Sequence, residues 1–66
     1  MLKLSTFASI CRRHGHDFRV RFEKDASFAI IEDNCARYVL NDLTAAGASV
    51  SERYNSTIYF QLESLT

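Results

Sequence analysis

Apolar residues recur along this chain with two different periods, and the changes of period mark its elements. Near the N-terminus Leu4, Phe7, Ala8 and Cys11 fall on one helical face, with Ile10 widening it. A short helix is therefore predicted over about residues 5–14. Ser5 is placed to cap its start. Arg12 and Arg13 suit the negative end of the helix dipole, and Gly15 suits the left-handed residue that follows. The period then drops to two. Phe18, Val20 and Phe22 alternate with Arg19, Arg21 and Glu23, which predicts a strand over about residues 17–23. Its apolar side chains would point to the core and its arginines to the other face.

Lys24-Asp25-Ala26 reads as a turn, followed by a second strand over about residues 27–31. Phe28 and Ile30 are expected to face the core. Ala29 and Ile31 would then share the opposite face with Arg19 and Arg21. A competing pattern exists here. Phe28, Ile31, Cys35 and Val39 also fit a helical stripe, which would make about residues 27–46 one long helix and give the order α-β-α-β-β. The β-branched pair Ile30-Ile31 favours the strand, and Glu32-Asp33-Asn34 resembles a helix start.

The second helix is expected over about residues 34–46, capped by Asp33 or Asn34. Ala36, Val39, Leu40, Leu43 and Ala46 form its apolar stripe, with Cys35 at the edge. Arg37, Asn41, Asp42 and Thr44 face water, and Gly47 ends the helix. The remainder reads as a hairpin of about residues 48–54 and 57–63, joined through Asn55-Ser56. Ile58, Phe60 and Leu62 alternate with Thr57, Tyr59, Gln61 and Glu63, while Val50 and Tyr54 are assigned to the apolar side. The predicted order is α-β-β-α-β-β. It describes an α+β fold, a four-stranded, mainly antiparallel sheet with two helices on one face. The second sheet face would present Arg19, Arg21, Ala29, Ile31, Thr57, Tyr59 and Gln61.

Sixty-six residues allow one domain, here taken as 1–66. Burying about 4000 Å² of apolar surface contributes on the order of 100 kcal/mol. Ordering the chain at about 1.5 kcal/mol per residue costs a similar amount. With so thin a margin, a homodimer is a natural expectation. The longest apolar run, Phe28-Ala29-Ile30-Ile31, is too short to span a bilayer, and the first residues lack the long apolar stretch of a secretory signal. A cytoplasmic location is expected, with Cys11 and Cys35 as reduced, buried thiols. Net charge is zero but segregated. Residues 1–24 hold six cations against two carboxylates, net +4, and residues 25–66 hold two against six, net −4.

Candidate chemistry is sparse. Cys11, His14 and His16, with Cys35 as a fourth ligand, offer zinc-compatible atoms, but their spacing fits no standard structural site. The expected reading is ordinary core thiols and loop histidines. Cys11 and His14 lie on adjacent helical turns, yet the thiol belongs to the apolar stripe, so no catalytic pair is expected. Nothing resembles a nucleotide-binding loop, so no cofactor and no enzymatic activity are expected. Asn55-Ser56-Thr57 matches a glycosylation acceptor, a chance match given the expected cytoplasmic location.

Arg12, Arg13, Arg19, Arg21 and Lys24 are the residues that would serve a nucleic acid, since guanidinium forks suit phosphates. The neutral total speaks against it. The leading expectation is a small accessory, inhibitory or regulatory protein that binds a protein partner. The contact would use the second sheet face, centred on Arg19, Arg21, Ile31, Tyr59 and Gln61, or a strand edge.

Overall fold

The computed structural model describes residues 1–34 and 37–63. The element order is α1 (Leu4–Arg13), β1 (Arg19–Phe22), β2 (Ser27–Glu32), α2 (Arg37–Ala45), β3 (Ser49–Tyr54) and β4 (Thr57–Leu62). The α-β-β-α-β-β order and the α+β class are as the sequence predicts. Residues 27–32 form a strand, so the single long helix over 27–46 is excluded. The four strands form one antiparallel sheet in the order β1-β2-β4-β3. The N-terminal segment joins it through a parallel bridge from Leu2 to Leu62, closed by Glu63 N–H donating to the Leu2 carbonyl at 2.8 Å.

Both helices bury their apolar stripes on one face of this sheet. Phe7, Ile10 and Cys11 of α1 and Val39 and Leu43 of α2 share a core with Ala29, Ile31, Ile58, Phe60 and Leu62. Phe7 sits at its centre, with ring centroids 5.3 Å from Phe60 and 5.9 Å from Phe18. The helices end alike. At α1, His16 N–H bonds Cys11 C=O and Gly15 N–H bonds Arg12 C=O. At α2, Ala48 N–H bonds Leu43 C=O and Gly47 N–H bonds Thr44 C=O. Both are Schellman closures, and they require the positive φ of Gly15 (64°) and Gly47 (104°). The β3–β4 turn places Asn55 and Ser56 at φ 51° and 61°, the two-residue geometry that follows strand twist. The Thr57 hydroxyl braces it by donating to the Tyr54 carbonyl.

Several local expectations change. Ser5 lies inside α1; the cap position is Lys3, which makes no side-chain capping bond. In α2, Ala46 is exposed and lies beyond the helix. Asp33 and Asn34, the expected caps, lie in a turn before α2, and the stripe positions Cys35 and Ala36 fall outside the described residues. Phe22 is 63% exposed, because it ends an edge strand at the margin of the helix layer.

The largest correction concerns β2. Phe28 and Ile30 do not face the helices; Ala29 and Ile31 do, and both are buried there. Directly opposed residues of an antiparallel pair share a face. Ala29 lies opposite Val20 and Phe60, and Ile31 lies opposite Ile58, so the phase of β2 follows its two neighbours. The run Phe28-Ala29-Ile30-Ile31 is apolar on both sides and carries no phase of its own.

Candidate functional site

The sheet face away from the helices is uncovered. Its residues follow from register in three rows. Arg21, Phe28, Gln61 and Ser49 form the first. Arg19, Ile30, Tyr59 and Glu52 form the middle row, and Glu32, Thr57 and Tyr54 the last. Four of the five residues expected at a partner surface, Arg19, Arg21, Tyr59 and Gln61, are therefore brought together. Ile31 is not. It is buried under the helices, and the inverted phase of β2 puts Ile30 in its place.

Tyr54 joins this face as well, against expectation. Val50 and Tyr54 would share a side in a regular strand, but β3 carries a bulge between Val50 and Glu52. One extra residue shifts the alternation, so Val50 stays on the helix side and Tyr54 crosses over. Tyr54 is 63% exposed. With Arg21, Glu23, Phe28, Glu52 and Tyr59 it lines a depression of ≈ 440 Å³.

The face is apolar at its centre and charged at its margins. Ile30 lies between Arg19 and Tyr59 in register and is 8% exposed. Phe28 and Tyr59 are half-buried. Arg19 pairs with Glu32 at 3.7 Å, and Arg21 with Glu23 at 3.2 Å. These pairs are solvent-exposed, so they add little to stability. They place a carboxylate beside each guanidinium. With Glu52 included, two cations stand among three carboxylates on this face.

The arginines do not form one basic surface. Arg12 and Arg13 occupy the exposed last turn of α1, in the helix layer, whereas Arg19 and Arg21 point from the opposite side of the sheet. Lys24 lies in the exposed β1–β2 turn, where Glu23 N–H bonds Ala26 C=O.

Cys11 and His14 of the cysteine–histidine set take structural roles. Cys11 is buried in the core. His14 Nε2 lies 2.7 Å from Asp42 Oδ2, a hydrogen bond that joins α1 to α2. Tyr38, 62% exposed, rests against the His14 ring with centroids 5.2 Å apart and so covers this bridge. His16 Nε2 is buried without a hydrogen-bond partner, and Cys35 lies outside the described residues. No group of three His, Cys, Asp or Glu side chains could hold a metal among the described residues.

No family model, curated protein or solved structure matches the chain. Function must therefore be read from the face itself. No helix among the described residues is long and apolar enough to cross a membrane.

The sequence pattern missed three apolar or aromatic members of the face, Phe28, Ile30 and Tyr54. Pairing with β1 and β4 sets the side of the first two. A bulge sets the side of the third, and its only local trace is the small polar Ser51 between Val50 and Glu52.

Proposed function

We propose that this chain is a small, non-catalytic accessory, inhibitory or regulatory protein of the cytoplasm. It works by binding a protein partner through the uncovered sheet face and occupying that partner's surface. The observation that carries this reading is the makeup of the face. Phe28, Ile30, Tyr54 and Tyr59 give it an apolar and aromatic centre, and the arginines at its margin each have a carboxylate beside them. Aromatic centres with polar rims are characteristic of protein interfaces, because flat rings bury large area at small entropic cost.

A face is favoured over an edge. β1 is only four residues long and carries two arginines, while β3 is bulged and bears Glu52 and Arg53. Short, charged or bulged edge strands resist pairing with a further strand. The nucleic-acid reading is weakened by the same geometry, since Arg12 and Arg13 are separated from Arg19 and Arg21 and the latter pair face carboxylates.

The test is affinity capture with tagged protein and two double variants. Tyr54→Ser/Tyr59→Ser should retain its circular dichroism spectrum and lose at least about ten-fold of the captured protein, the scale of one or two interface anchors. Arg12→Ala/Arg13→Ala should capture it at the wild-type level. The opposite pattern contradicts the reading. So would co-purifying nucleic acid whose retention collapses between about 50 and 200 mM salt.

A further inference from the structure

The middle row of the open face is self-complementary. Across the sheet it reads Arg19, Ile30, Tyr59, Glu52, that is cation, aliphatic, aromatic, anion. Consider a second copy turned about a two-fold axis that runs along the strands, midway between β2 and β4, in the plane of contact. β1 of one copy then lies over β3 of the other, and β2 over β4. Arg19 meets Glu52 of the second copy at both ends of the row, and Ile30 meets Tyr59 twice at its centre. The flanking rows bring no like charges together. Arg21 lies over Ser49, Phe28 over Gln61, and Glu32 over Thr57.

From this we infer that the chain closes its open face against a second copy of itself, forming a two-fold, four-layered dimer with the sheets inside and the helices outside. The inference rests on the reading of this face as a protein-binding surface and names the partner. Sheets packed in this way keep their strands nearly aligned and lie about 10 Å apart. Four strands about 4.8 Å apart and about 20 Å long cover roughly 400 Å² per copy. The total, about 800 Å², is below that of stable specific interfaces and belongs to weak, transient ones. A reversible dimer is expected, with its register set by the two Arg19–Glu52 pairs. An isologous contact of this kind uses one patch twice, so a row of four residues specifies the whole interface.

Charge reversal tests this geometry. Sedimentation equilibrium of the purified chain, from about 5 μM to about 1 mM, spans the affinities typical of small interfaces. The wild type should shift from monomer to dimer. Arg19→Glu and Glu52→Arg should each weaken dimerisation at least ten-fold, because each opposes like charges twice. The double variant Arg19→Glu/Glu52→Arg should recover most of the loss, and so should an equimolar mixture of the two single variants. Recovery is a result that misfolded variants could not give. A wild type that stays monomeric at the highest concentration overturns the inference, as does a double variant no better than the singles. Either outcome leaves the protein-binding reading intact if capture still depends on Tyr54 and Tyr59. If capture also survives their substitution, both fall.

Discussion

Phe7→Ala should leave the chain largely unfolded at 37 °C. Phe7 has no exposed surface, and its ring packs on the sheet against Phe60 in the central strand β4 and Phe18 just before β1. Truncating a buried phenylalanine removes its transfer free energy and leaves a cavity, together about 3–5 kcal/mol. A domain of this size has a total stability of about 3–10 kcal/mol. The substitution therefore consumes most of what holds α1 to the sheet. The second-largest contribution to the same contact cannot compensate, since α1 docks through a single stripe of Phe7, Ile10 and Cys11. Urea denaturation followed by circular dichroism measures the effect. A cooperative transition within about 1 kcal/mol of wild type would show that the helix is held by something else.

Ala29→Glu should be comparably severe, whereas Phe28→Glu, one residue earlier, should leave the protein folded. Ala29 is fully buried between Val20 and Phe60 in register, and no polar or charged residue among those described is buried. A glutamate there must either bury an unpaired carboxylate, at several kcal/mol, or push the helices off the sheet. Phe28 points to the open face and is only partly covered, so its replacement forfeits part of one aromatic burial, about 1–2 kcal/mol. Thermal denaturation of both variants separates the two phases of β2. The reverse ranking, with Phe28→Glu unfolded and Ala29→Glu stable, would mean that the strand is inverted.

That pair of substitutions also marks where the sequence stops being legible. The helix α1 could be read because Phe7, Ala8 and Cys11 repeat at helical spacing and Arg12, Arg13 and Gly15 close it. β4 could be read because Ile58, Phe60 and Leu62 alternate strictly with polar neighbours. β2 could be recognised as a strand but not oriented, because four consecutive apolar residues look the same from either side. Its orientation is a property of the sheet, imposed by Val20 and Ile58 across the ladder. The sequence pattern treats Asp42 as solvated charge, yet it holds His14 from twenty-eight residues away. No local pattern announces such a contact. Of the candidate site, the arginine pair with Tyr59 and Gln61 was legible from clean alternation, while Ile31, Ile30, Phe28 and Tyr54 were misplaced by one phase error and one bulge.

These placements converge on one physical claim. The helices cover one side of the sheet, and we propose that a protein covers the other. Site-specific photocrosslinking in living cells tests it most directly. A benzophenone side chain would replace Tyr59 or Tyr54 on the open face, or Tyr38 on the helix layer. All three tyrosines lie at the surface to some degree, so reactivity should report contact more than accessibility. Irradiation should yield one discrete protein adduct from positions 59 and 54, either the chain's own dimer or a heterologous complex, and none from position 38. A discrete adduct from position 38 with none from 54 or 59 would contradict the claim.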